Sequence, residues 1–317
     1  LRQHLATEAR TDRMLQAHRD MSHPLPGIVP VLGYTEMAVH DEYFGDSLVT
    51  EYRVTVEERA KGIPLLGDHM ARITGVAVGV GQNLFALHPL VHPSQLGSGP
   101  GGFPVQKQLL DLQAGFIEAG YLLLDLRPQN IFYQPTASQI TVIDCGDLVH
   151  LDGQKRQGSS SGISPELSPE QSFGRPLGKP PQDLNDFCLE MVKFYATPQE
   201  PPLEATGYRE PYGLRPVIRF ADELAELEES FRSGCSGLCR ETALTIIARI
   251  KDRTYDDLEV FRRDLDAYLE AVSQRNRDLP SGAHARQAWF EALDWLRADY
   301  WTRFLFDPAA ELAAFDA

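Results

Sequence analysis

The chain has 317 residues and a net charge of −15, with ordinary apolar and charged fractions. That length buries a core with ease and holds one large domain or two small ones, and the acidic balance argues against nucleic acid or an anionic membrane as partner. No apolar run reaches membrane-spanning length, no signal peptide opens the chain, and the cysteines are too few and too irregular for a disulfide framework or a zinc site. Cys235 and Cys239 lack a second ligand pair and read as ordinary free thiols. These features point to a cytoplasmic protein.

Residues 2–21 have no Gly or Pro and consist of good helix formers, with Leu5, Met14, Leu15 and Met21 on an imperfect apolar face. The chain opens at Leu1, inside this helix, and reads as a fragment cut within a domain. Prolines at 24, 26 and 30 break the helix and lead into a strand near Ile28 to Leu32. A polar turn precedes a second strand, Ser47 to Arg53. Residues 66–90 are mostly apolar and helical by composition. Their Gly75, Gly79 and Gly81 invite a phosphate-loop reading, but no strand with a lysine follows, so helix packing or a local turn fits better. A Gly-rich loop near residues 96–102 precedes a helix from Phe103 to Ala119, with Val105, Leu109, Leu112, Phe116 and Ile117 on one side and Gly120 as its stop.

The stretch that follows, Leu122 to Gly146, carries the chemistry. Asp125 and Asn130 sit five apart across a turn stiffened by Pro128, and Asp144 ends the apolar run Ile140 to Ile143. Gln134 to Ser138 reads as the turn of a hairpin between residues 130–133 and that run. Such a hairpin sets Asn130 and Asp144 side by side as hard oxygen ligands for one cation. Asp125 is then close enough to handle a hydroxyl proton. This is the layout that phosphoryl transfer needs. The plain alternative is three polar residues with no shared task.

Leu151 to Gly162 is polar, with Ser159, Ser160 and Ser161 as conceivable phosphorylation sites, and Ser168-Pro169-Glu170-Gln171 follows. Asp183 opens an apolar helix running to about Tyr195, for which it could simply be the N-cap. Residues 219–233 and 241–250 are amphipathic helices, another follows Leu258, and residues 282–317 are aromatic-rich and helical.

Asp125-Leu126-Arg127-Pro128-Gln129-Asn130, followed by Asp144-Cys145-Gly146, resembles the catalytic and metal-binding loops of protein kinases. Ser168-Pro169-Glu170 is similar to that family's Ala-Pro-Glu signature. The resemblance runs from about Glu8 to Leu269 and is specific in the large lobe. It implies that Asp125 orients the substrate hydroxyl and takes its proton. Arg127 meets the transferred phosphate, and Asn130 and Asp144 hold Mg2+. Phe132 lies under the adenine of ATP, and the backbone of Glu51 to Arg53 forms the adenine-binding hinge after a gatekeeper at Thr50. Glu8, with Asp12 as fallback, pairs with the ATP lysine, Asp183 holds the catalytic loop from below, and Arg253 pairs with Glu170.

The implied architecture is α+β, a kinase-like two-lobe fold. Residues 1–53 form a partial small lobe, 54–275 a mainly helical large lobe and 276–317 a helical extension. Leu123 and Leu124 stand where the family has His-Arg, which removes the cation that clamps a phosphorylated loop, and Cys145 replaces the usual Phe. The Gly-rich loop and ATP lysine are absent from these residues and are expected upstream of Leu1. The implied activity is ATP-dependent phosphorylation of protein Ser/Thr hydroxyls. The alternatives are a pseudokinase that serves as a binding module for a partner protein, and a phosphotransferase of the aminoglycoside or choline kinase type.

Overall fold

The computed structural model describes residues 25–43, 46–65, 92–93, 96–97, 102–124, 126–134, 137–143, 145, 148–152, 155–157, 183–198 and 220–279. Helix and small antiparallel sheets mix in it, an α+β arrangement. Strand β1 (Val31–Tyr43) pairs with β2 (Asp46–Glu57) in a long antiparallel hairpin, from Val31 opposite Glu57 to Tyr43 opposite Asp46. Both strands outrun the sequence reading. Val54, Thr55 and Val56 extend β2 because β-branched residues fit a pleated ladder, so Glu51, Tyr52 and Arg53 lie mid-strand, opposite Ala38, Met37 and Glu36. The boundary expected at residue 53 therefore cuts a strand, and the chain leaves the hairpin only at Glu58, whose amide bonds the Pro30 carbonyl at 2.9 Å.

The second sheet is the one that positions the site. Strand β3 (Ile63–Pro64) pairs with β5 (Ile131–Gln134), which pairs with β6 (Gln139–Val142), all antiparallel. Gly62 makes the landing of β3 possible. Its φ is +89°, and a Cβ there would run into the backbone of Tyr133 and Gln134. On the other side of the sheet, Val29 donates to Val142 at 2.9 Å and Val142 to the Gly27 carbonyl at 2.7 Å. The proline-rich segment is thereby tied to β6.

Helix α1 (Pro104–Glu118) starts on proline, whose missing N–H costs nothing at a helix start. Val105, Leu109, Leu112 and Phe116 recur at helical spacing and are buried. Gly120, at φ +85°, turns the chain into β4 (Tyr121–Leu122). That strand pairs with β7 (Val149–Asp152), which pairs with β8 (Lys155–Gln157). Part of the polar stretch after Asp144 is thus a hairpin.

Among the described residues four more helices follow: α2 (Leu184–Tyr195), α3 (Phe220–Gly234), α4 (Gly237–Lys251) and α5 (Leu258–Arg275). Helix α4 begins at Gly237, earlier than its amphipathic pattern predicts, after an extended Ser236. Phe187 and Tyr255 each meet Phe261 edge-on, and Phe231 meets Tyr268 likewise, joining α2, α3 and α5 in one apolar core. Buried Asn185 is satisfied by the Tyr255 backbone: it accepts from that amide at 3.0 Å and donates to that carbonyl at 3.3 Å. Among the described residues no helix is long and apolar enough to cross a membrane.

Candidate active site

The loop between β4 and β5 runs through Leu123, Leu124, Leu126 and Arg127 into a single 3-10 turn, Pro128–Asn130. Leu123, Leu124 and Leu126 are all buried, so apolar packing pins the loop where the kinase pattern has His-Arg. Three side chains hold its backbone. Gln113 on α1 accepts from the Leu123 amide at 3.0 Å. Glu190 on α2 accepts from the Leu126 amide at 2.6 Å. Tyr195, one turn further along α2, donates its hydroxyl to the Leu126 carbonyl. Both backbone polar groups of Leu126, its amide and its carbonyl, are therefore anchored to α2, immediately after Asp125.

Asp183 stands just before the first turn of α2. It caps α2, accepting from the Asn185 amide at 2.7 Å, while Asp186 reaches back to the Asp183 amide. Arg253 then binds both carboxylates, at 2.9 Å to Asp183 and 2.8 Å to Asp186. It does so from a left-handed backbone, φ +53°. The loop clamp observed from α2 is Glu190 and Tyr195. Neither they nor Gln113 emerged from the sequence. The one available signal was polarity out of place: Gln113 is one helical turn beyond Leu109 on the apolar side of α1, and Glu190 interrupts the apolar run Leu189-Glu190-Met191.

Downstream, the hairpin forms as its turn and apolar run predict. Ile131 opposes Val142 and Phe132 opposes Thr141. Its open end is closed by the Ile143 amide, which bonds the Asn130 carbonyl at 2.9 Å. Asn130 is buried, with the Asn130 amide bonded back to Arg127 at 2.8 Å. Gln108 of α1 steadies the turn end, donating to the Ser138 carbonyl at 2.7 Å and accepting from the Ile140 amide at 3.0 Å.

Of the expected site residues, Asn130 is buried at the hairpin mouth, Arg127 is half-buried just before it, and Phe132 is half-buried on β5. Glu51 and Arg53 lie on β2, away from a strand end. Asp125, Asp144, Glu8, Asp12, Glu170 and Ser159 to Ser161 lie outside the described residues, although the residues on either side of Asp125 and of Asp144 are described. Among the described residues no group of three or more His, Cys, Asp or Glu could hold a metal ion. Compared with known proteins, the chain matches no family model, no curated protein and no solved structure.

Proposed function

We propose that this chain is a kinase-like phosphotransferase acting with ATP on protein Ser/Thr hydroxyls. The observation that carries the proposal is the Ile143 to Asn130 hydrogen bond across the hairpin mouth. It joins the residue before Asp144 to the amide-bearing residue of the proposed metal pair. An amide oxygen and a carboxylate are hard donors of the kind Mg2+ takes, so the residues present fit that ion. When bound, the ion neutralises charge on the phosphate oxygens.

In this reading Asp125 accepts the substrate hydroxyl proton and Arg127 offers a cation to the transferred phosphate. Phe132 supplies an apolar face for adenine, and the edge of β2 from Glu51 through Arg53 to the crossover at Glu58 supplies backbone groups for its ring nitrogens. Glu190 and Tyr195 hold the Leu126 amide and carbonyl, so α2 fixes the backbone that follows Asp125.

The proposal is tested by following transfer of the γ-phosphate from ATP to a Ser/Thr peptide mixture by the protein. Asp125→Asn should lower transfer by about 10²–10⁴-fold, the usual worth of a general base, with ATP binding unchanged. A variant as active as the parent removes Asp125 from the mechanism.

One observation favours a second reading, a pseudokinase that binds a partner protein. Leu123 and Leu124 are committed to the core, so the loop is stable without the usual His-Arg pair and needs no activating phosphate to order it. A parent protein that binds no ATP and transfers no phosphate would select that reading.

A further inference from the structure

The turn between α3 and α4 holds Cys235-Ser236-Gly237-Leu238-Cys239, and the fold brings its two thiols into contact. Cys235 follows the last turn of α3, its amide bonded to the Phe231 carbonyl at 3.0 Å. Cys239 sits in the first turn of α4. Both are buried, and their sulfurs lie 3.1 Å apart, about 1 Å more than a disulfide bond. Arg275, in the last turn of α5, donates to the Gly234 carbonyl at 2.6 Å and reaches the Cys235 sulfur at 3.7 Å. A fixed cation thus stands beside one sulfur, with the second sulfur already at bonding approach.

We propose that Cys235 and Cys239 form an oxidation site at which hydrogen peroxide closes an intramolecular disulfide, Cys235 reacting first and Cys239 resolving it. The Cys235 thiolate attacks one peroxide oxygen and the O–O bond breaks. Cys235 becomes a sulfenic acid, and the departing hydroxide takes up the thiol's proton as water. The Cys239 sulfur then attacks the Cys235 sulfur, the S–O bond breaks, and the released hydroxide leaves with the Cys239 proton as a second water. Two thiols are oxidised and one peroxide is reduced.

The local electrostatics divide the roles the same way. The hydrogen bond from Cys239, with the Arg275 charge behind it, outweighs burial and brings the Cys235 thiol down to about 7. The same contact, together with burial, pushes Cys239 up. Thiolate is the reactive form, so Cys235 is the nucleophile. The pair lies close to the surface in sequence, with Leu238 58% exposed between the two cysteines. Cys188 makes the contrast: burial first, then the Asp186 charge, hold its thiol well above the usual range.

The test treats the full chain with hydrogen peroxide, alkylates the remaining thiols after denaturation, and weighs the peptides by mass spectrometry. Alkylatable thiols should fall from four to two. The peptide holding Cys235 and Cys239 should be unalkylated, lighter by two hydrogens, and restored by dithiothreitol. In Cys239→Ser, dimedone should trap a sulfenic acid on Cys235. The proposal is overturned if Cys145 or Cys188 oxidises while this pair stays alkylatable, or if the two sulfurs end as separate sulfinic acids. The measurement on the parent chain decides without any variant.

Discussion

Truncating Glu190 probes the clamp on the candidate loop directly. Glu190 accepts from the Leu126 amide at 2.6 Å, and Leu126 is fully buried. Glu190→Ala leaves that N–H without its acceptor inside the core. A lost bond to a charged acceptor, with the donor stranded, costs about 1.5–3 kcal/mol. Alanine is the better helix former, so helix propensity works slightly against this loss. Urea unfolding monitored by circular dichroism would read it as a lower midpoint at unchanged slope. Tyr195→Phe strands the other backbone polar group of the same residue, the Leu126 carbonyl, at a cost of about 1–2 kcal/mol. Because both side chains hold the backbone of one residue, the double variant should depart from additivity by at least ~0.5 kcal/mol. A Glu190→Ala midpoint equal to that of the parent, or strictly additive losses, would refute the clamp.

Other expectations follow from particular contacts. Gly62→Ala should destabilise by more than about 1 kcal/mol, since φ +89° and the Tyr133 backbone both exclude a Cβ; a neutral melt would contradict the landing of β3. Arg253→Met should cost about 2–3 kcal/mol, less than a fully buried pair because the guanidinium is 28% exposed, by removing the cation that Asp183 and Asp186 share; an unfolding midpoint matching the parent's would deny that pairing. Burial, together with the hydrogen bond to Asp264, holds the Tyr255 hydroxyl well above its ordinary 10.0, and burial, with the nearby Cys235, does the same for Tyr268. A phenol whose folded value is raised stabilises fully below its unfolded value, so stability should fall as pH climbs past about 10. A urea midpoint flat from pH 9 to 11.5 would contradict it.

What the sequence revealed was local. The β5–β6 hairpin could be read because Pro128, the Gln134 to Ser138 turn and the run ending at Ile143 are neighbours in the chain. Helix α1 could be read from its apolar spacing, and α2 from Asp183, which the structure confirms as its cap. The β1–β2 hairpin was underestimated because charges at Glu36, Asp41, Glu51 and Arg53 interrupt any apolar alternation, while cross-strand pairing such as Glu36 opposite Arg53 depends on register. Contacts between distant residues left no local pattern. Glu190 and Tyr195 meet Leu126 from more than sixty residues away, and only their polarity in an apolar helix hinted at a task. The Cys235–Cys239 spacing identified free thiols, but contact between their sulfurs needed the turn between α3 and α4.

The central claim is that Asn130 and Asp144 share one cation beside a nucleotide. It is tested by titrating an ATP analogue into the protein with and without Mg2+, for the parent and for Asp144→Asn. The account predicts that Mg2+ tightens binding to the parent and has no such effect on the variant, whose melting temperature stays that of the parent because an amide replaces a near-isosteric carboxylate. Equal Mg2+ dependence in the two proteins would contradict it.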